Sequence, residues 1–229
     1  MLAELMSGIT ELKNKIYLYP YKKLSRNKIK QYLKENIGKV RVNIGAGSNL
    51  LPGWLNAELW PLEGTVHIDI TEKLPFESGT VKYISCEHLI EHVSYHEALR
   101  FFHECWRVLE DGGVFRCSTP DLEKLIYLYR GDDEVLTKDI LLPHHRKHHN
   151  ANAYNMCQWL NDHVRLWGHQ FIYDQQTLIN SLQEAGFTKV IKCKYGESMH
   201  KDLQNLEKHD EGEVWMKEGY VMIFEAAKL

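Results

Sequence analysis

The sequence predicts an α/β fold: a doubly wound, mostly parallel sheet whose last strand runs antiparallel. Three observations carry this expectation. A β-branched stretch, Val40-Arg-Val-Asn-Ile44, runs straight into glycines at Gly45 and Gly47. Short apolar runs then alternate with turn residues and one strongly amphipathic helix up to Ser118. The length, 229 residues, suits one α/β domain with additions and a full core.

Residues 1–38 alternate apolar positions (Ile16, Leu18, Tyr21, Leu24, Ile29, Tyr32, Leu33) with Lys and Arg, and Pro20 interrupts them. They predict one or two amphipathic helices forming a helical cap on a domain that spans 39–229. A packed cap is favoured over peripheral membrane contact, because the basic residues form no continuous polar face. From Val40 the order is strand, loop, then strands at about Trp54–Glu58, Thr65–Ile70 and Val81–Cys86. The capping box Ser94-x-x-Glu97 opens a helix over Tyr95–Leu109 with an apolar face at Leu99, Phe102, Trp106 and Leu109, stopped by Gly112-Gly113. Strand five is Val114–Ser118. An irregular insertion around 120–172 follows, beyond the carboxyl end of the sheet, where such folds build the acceptor pocket. Asp174 caps a helix through Glu184, Gly186 ends it, and Val190–Tyr195 and Tyr220–Ala226 are strands suited to antiparallel pairing.

Composition narrows the function. A net charge of -3 makes nucleic acid an unfavoured partner. Five cysteines without C-x-x-C spacing disfavour a disulfide framework or zinc ribbon and suit a reducing, cytoplasmic setting. No stretch has the apolar length of a transmembrane helix, and Met1-Leu-Ala-Glu-Leu-Met lacks the charged-then-apolar order of a signal peptide. Oligomeric state is left open.

The glycine loop narrows the ligand. A pyrophosphate turn needs a third glycine where this chain has Leu50, and Pro52-Gly53 follows at once. No G-x-x-x-x-G-K-[ST] is present, which disfavours a nucleoside triphosphate. The remaining common guest is a nucleoside carrying an amino acid, which needs an acidic acceptor for its ribose at the end of strand two and a polar contact for its adenine beyond strand three. Glu58 and Asp69 occupy those places. Here Val42-Asn-Ile-Gly-Ala-Gly47 resembles the first motif of class I S-adenosylmethionine-dependent methyltransferases. Gly53-Trp-Leu-Asn-Ala-Glu58, Asp69-Ile-Thr-Glu-Lys-Leu-Pro-Phe76, Glu87-His-Leu-Ile-Glu-His92, Arg107-Val-Leu-Glu-Asp-Gly-Gly113 and Glu184-Ala-Gly-Phe187 resemble later blocks in the right order. The pattern is most similar to a bacterial branch associated with surface-polysaccharide synthesis. The resemblance implies a Rossmann-like sheet and S-adenosylmethionine held by Gly45, Ala46, Gly47, Glu58, Asp69, Ile70 and Cys86. Two departures stand out: too little chain between Gly47 and Trp54 for the usual helix, and Lys82 where an acidic residue often begins strand four.

His88, Glu91 and His92 fall at i, i+3 and i+4, so on a helix they share a face and can converge on one ion. The plain alternative is that Glu91 and His92 only brace that helix. Methyltransferases acting on small-RNA ends or quinone precursors carry a similar Glu-x-x-Glu-His block that holds a divalent ion beside the acceptor hydroxyls. His88 in the first position favours manganese, iron, cobalt or zinc over magnesium. His-x-x-Glu-His is also the inverzincin signature, so a metal-dependent hydrolase is the competing enzyme class. The chain has 13 histidines, several in Pro143-His-His-Arg-Lys-His-His149 and at His163 and His169. A solvated loop explains most of them; His88, His92, His145 and His169 are the candidate catalytic residues, because a near-neutral imidazole can take a proton from a hydroxyl. Tyr154, Trp159, Trp167 and Tyr173 suit either stacking on the acceptor or core packing, and Asp121 either a polar contact or a helix cap. These readings favour an O-methyltransferase acting on a sugar or glycan hydroxyl, with or without a divalent metal. The non-enzymatic alternative is a cofactor-binding subunit of a glycan assembly complex.

Overall fold

A computed structural model describes residues 2–148, 154–208 and 220–229, with side chains of the first helix from Tyr19 onward and without the side chain of His148. Seven strands form one sheet: β1 (Arg41–Ile44), β2 (Leu55–Glu58), β3 (Val66–His67), β4 (Val81–Glu87), β5 (Leu109–Pro120), β6 (Lys189–Cys193) and β7 (Val221–Ala227). Their order is β3-β2-β1-β4-β5-β7-β6. The pairs from β3 through β5 are parallel, and β7 runs antiparallel between β5 and β6. The helices are α1 (Leu2–Glu35), α2 (Tyr95–Val108), α3 (Leu122–Arg130), α4 (Leu142–His148), α5 (Met156–Arg165) and α6 (Gln175–Glu184). This is the expected doubly wound sheet with an antiparallel last strand.

The central strands are buried on both faces, so they read as apolar runs without strict alternation. Val42, Ile44, Ala57, Ile84, Cys86, Phe115 and Cys117 belong to one core cluster. The α2 capping box forms as expected, with the Ser94 hydroxyl accepting from the Glu97 amide and the Glu97 carboxylate accepting from the Ser94 amide. Its buried stripe is Ala98, Phe101, Phe102, Cys105 and Val108, a rotation away from the expected face. Trp106 is 37% exposed. It lies on the flank, where the Lys228 ammonium sits 4.4 Å from its ring centroid and Gly186 gives it room: a Cβ there would come within 3.0 Å of the indole nitrogen. Gly112-Gly113 does not end the helix. Leu109 already turns extended, and both glycines lie inside a longer β5.

α1 is one helix that passes through Pro20 instead of being interrupted by it. Proline removes one intrahelical donor, and the helix runs on regardless. Leu24, expected on its apolar face, is 55% exposed. Of the expected positions, Ile29, Tyr32 and Leu33 do pack on the domain, and Ser25 joins them. The Ser25 hydroxyl accepts the His67 amide at 2.8 Å, satisfying a donor on edge strand β3. The Tyr32 hydroxyl donates to the Arg41 carbonyl at 2.9 Å.

The insertion after β5 packs α3, a π-helical turn at Leu136–Leu141, α4 and α5 around a second core. Tyr154 and Trp159 belong to this core and Tyr173 to the main one, so packing accounts for all three. Asp121 is the N-cap of α3, accepting from the Glu123 amide at 3.0 Å.

A buried ion network fastens the segment between β6 and β7 to the sheet. Arg116 on β5 donates to Glu207 at 2.6 Å, to Glu225 on β7 at 2.7 Å and to the Glu197 carbonyl at 3.0 Å. Removing one member strands the others in a low-dielectric interior. Arg116→Ala is expected to destabilise the protein by roughly 3–5 kcal/mol in chemical denaturation. Thiol chemistry provides a second check. Cys86, Cys105 and Cys117 are buried, and burial pushes the Cys117 thiol up to about 12, whereas Cys157 is exposed. Native protein at pH 8 should label rapidly at Cys157 and at none of those three until it is unfolded.

Candidate functional site

A cavity of about 840 Å³ opens at the carboxyl ends of β1, β2 and β4 and is walled on its far side by the insertion. Gly45, Ala46, Gly47 and Glu58 line one side, and His88, His92, His145, His163, Trp167 and His169 line the other. Two distant stretches of sequence therefore meet across one space.

The first wall follows from backbone geometry. No helix forms between β1 and β2; the chain crosses directly, as the short spacing implied. The Gly45 and Ala46 amides both donate to the Ala57 carbonyl, at 2.9 and 3.0 Å, and fold the loop back over β2. Gly45 and Gly47 have φ of +73° and +50°, which L side chains rarely adopt. A Cβ on Gly45 would also approach Leu89 to 3.0 Å, whereas one on Gly47 would meet nothing within 4 Å. The Gly47 amide donates to the Glu58 carboxylate at 2.7 Å, so glycine loop and acidic strand end are held as one unit. Glu87, which the sequence reading did not single out, closes this wall. It accepts from the Asn49 side chain at 3.2 Å and the Lys208 amide at 2.8 Å, tying the loop to the segment before β7.

The second wall departs from expectation. His88, Glu91 and His92 do not lie along one α-helix: His88 has φ of +48° and Ile90–His92 is a single 3-10 turn. Instead His88 Nδ1 bonds Glu91 Oε1 at 3.0 Å, and the Thr119 hydroxyl donates to Glu91 Oε2 at 3.0 Å. His88 thus turns toward Glu91 rather than converging with it on one point. The donor atoms that do cluster are those of Glu91, His92 and His169, all within 4.8 Å of one another. Glu91 is fully buried. Burial pushes its pKa up, but the hydrogen bond and charge of His88 outweigh that and hold the carboxyl below its usual value. Burial lowers His92, and drives His163 down to about 4 against the Trp159 carbonyl hydrogen bond that favours its charged form. His163 is therefore a neutral imidazole at physiological pH. His169 reaches the wall through an αL residue, Trp167, at φ +59°, and its Nδ1 bonds the His163 carbonyl at 2.6 Å.

All four candidate catalytic histidines, His88, His92, His145 and His169, line the cavity. Asp69, Ile70 and Cys86 do not. The Asp69 carboxylate accepts from the Thr71 amide and hydroxyl and borders a separate hollow of about 130 Å³ beside α1, while Ile70 and Cys86 are core residues. Among the histidines of 143–149, His144 and His145 line the cavity; His149 lies outside the described residues. Lys208 and Tyr220 line it too, without a sequence signal, because their placement depends on how the chain returns to β7.

Residues 44–117 match a family model described as a methyltransferase domain. That segment runs from the end of β1 through most of β5 and contains the glycine loop, Glu58 and the His88–His92 turn. A solved S-adenosylmethionine-dependent methyltransferase from Archaeoglobus fulgidus is similar over 93% of this chain and 98% of its own, with 14% identity and a TM-score of 0.50. A Thermotoga maritima structure, described as an S-adenosylmethionine-dependent methyltransferase and possible histamine N-methyltransferase, is similar over 96% of both chains, with 14% identity and a TM-score of 0.49. At 14% identity the likeness to the Archaeoglobus fulgidus structure is one of fold. No curated protein matches the chain. The domain match favours a transferase over the hydrolase and non-catalytic readings.

Proposed function

We infer that this chain, an S-adenosylmethionine-dependent methyltransferase by its matched domain and fold, methylates a hydroxyl oxygen of a sugar or glycan. One observation carries the reading: a single cavity joins the Gly45–Gly47 loop and Glu58 to the His88, His92 and His169 wall. The cofactor supplies an electrophilic sulfonium methyl, so the protein needs no covalent nucleophile. The chain's task is alignment and removal of one proton.

Glu58, at the end of β2, is suited to accept hydrogen bonds from ribose hydroxyls. The two left-handed glycines let backbone approach the ligand where a side chain would intrude. Across the cavity, His88 is the proton acceptor we favour, with Glu91 orienting its ring. That carboxylate and the Thr119 hydroxyl form the chain that holds the imidazole, a pairing that favours one tautomer and stabilises the imidazolium formed on proton transfer. The mixture of imidazoles with Trp167 and Tyr220 suits a polyhydroxylated acceptor that offers both hydroxyls and apolar ring faces. The resemblance to the polysaccharide branch supports the same acceptor class. Five free cysteines support a reducing, cytoplasmic setting, and no helix among the described residues is long and apolar enough to cross a membrane.

Calorimetric titration with S-adenosylmethionine tests the first half. Wild type should bind, and Glu58→Ala should weaken binding at least roughly tenfold through loss of charge-assisted hydrogen bonds. Absence of binding to wild type would sink the reading. Transfer of a labelled methyl group to a panel of glycans and nucleotide sugars tests the second half. His88→Ala should lower kcat by roughly 10²–10⁴ while leaving cofactor affinity within about twofold. Methylation of amines only, with no product on any hydroxyl, would reassign the acceptor.

A further inference from the structure

We propose that Glu91, His92 and His169 form a binding site for one divalent transition-metal ion, with zinc, manganese, iron or cobalt preferred over magnesium. This set is not the His88, Glu91, His92 group that the spacing suggested. It recruits His169 from 77 residues further along the chain, through the insertion, and releases His88 to hold the carboxylate.

Four features support the site. One ligand atom from each residue lies within 4.8 Å of the others. Within that cluster the two imidazoles meet edge to face, with ring centroids 4.8 Å apart. The second feature is support from behind, as metal ligands usually have, at His169 and Glu91. His169 Nδ1 is held by the His163 carbonyl at 2.6 Å, which makes it the protonated nitrogen and leaves the lone pair on Nε2. Glu91 is bonded by His88 and Thr119, both at 3.0 Å, and a carboxylate accepting two such bonds still has lone pairs for an ion.

The third feature is charge. Glu91 is fully buried, and its hydrogen-bond partners among the described residues are an imidazole and a hydroxyl, neither permanently cationic. A metal cation at its open side would compensate that charge. The fourth is access: His92 and His169 line the cavity, and a Glu91 carboxylate oxygen lies within 4.8 Å of their donor nitrogens, so an ion held by all three would keep open positions toward the cavity. Two imidazoles and one carboxylate are a ligand set for borderline ions; magnesium prefers oxygen donors and keeps most of its water. On the methyl-transfer reading, those open positions suit two neighbouring hydroxyls of the acceptor.

The test uses untagged, metal-stripped full-length protein titrated with Co²⁺ and followed by visible absorption, then challenged with Zn²⁺ or Mg²⁺. We expect saturable one-to-one binding with ligand-field bands, displaced by Zn²⁺ but not by the same concentration of Mg²⁺. His92→Ala and His169→Ala should each weaken Co²⁺ binding at least roughly tenfold, and His103→Ala, exposed on α2, should not change it. Glu91→Gln, with circular dichroism to confirm the fold, should weaken it likewise. Absence of a saturable band, binding that survives both histidine variants, or equal displacement by Mg²⁺ would overturn the proposal. Binding is read without cofactor or acceptor, so failure here leaves methyl transfer standing, and failure to bind S-adenosylmethionine leaves the metal site standing.

Discussion

A single buried carboxylate joins the parts of this molecule that matter most to its cavity. Glu91 reaches back to β5 through Thr119 and sideways to His88 through its other oxygen. Its main-chain carbonyl also accepts the Gln170 amide at 2.7 Å and the Phe171 amide at 3.3 Å. One residue therefore anchors the turn after β4, the end of β5 and the returning limb of the insertion. Burying a carboxylate is costly unless every lone pair is answered, and that cost makes the arrangement specific. An apolar residue at 91 could fill the space and keep the main-chain bonds to Gln170 and Phe171, but it could not hold the His88 ring or answer the Thr119 hydroxyl.

The opposite wall depends on backbone more than on side chains. Three consecutive amides, at Gly45, Ala46 and Gly47, end on β2, two on the Ala57 carbonyl and one on the Glu58 carboxylate. The loop is thereby held before any ligand arrives, so less ordering entropy is lost on binding. Glu87 adds a clasp to the segment before β7, and the Arg116 network secures that segment deeper in the sheet. The cavity is thus bounded by a rigid loop on one side and by an insertion with its own small core on the other.

Much of this was legible locally. The strand-to-glycine transition, the Ser94–Glu97 box and the caps at Asp121 and Asp174 each depend on residues a few positions apart, and each forms. The geometry differs from local expectation where a local rule met a tertiary partner. Helical spacing placed Trp106 on the buried face, but Lys228 and Gly186 hold it on the flank. Spacing also placed His88 beside His92, but a left-handed backbone at His88 turned it toward Glu91. Asp69 lies away from the cavity, with its carboxylate accepting from the Thr71 amide and hydroxyl in an Asx turn.

The sequence alone determined the sheet, its antiparallel last strand and the glycine loop with its acidic partner, because apolar patterning and turn chemistry are encoded over short windows. Tertiary structure decided which of the 13 histidines share a cavity. Histidine carries no periodic signal of its own, and the meeting of His169 with His92 depends on how a long insertion folds back across the sheet. One of the points where that insertion lands is the Glu91 main-chain carbonyl, which takes the Gln170 and Phe171 amides, and no local pattern encodes that meeting.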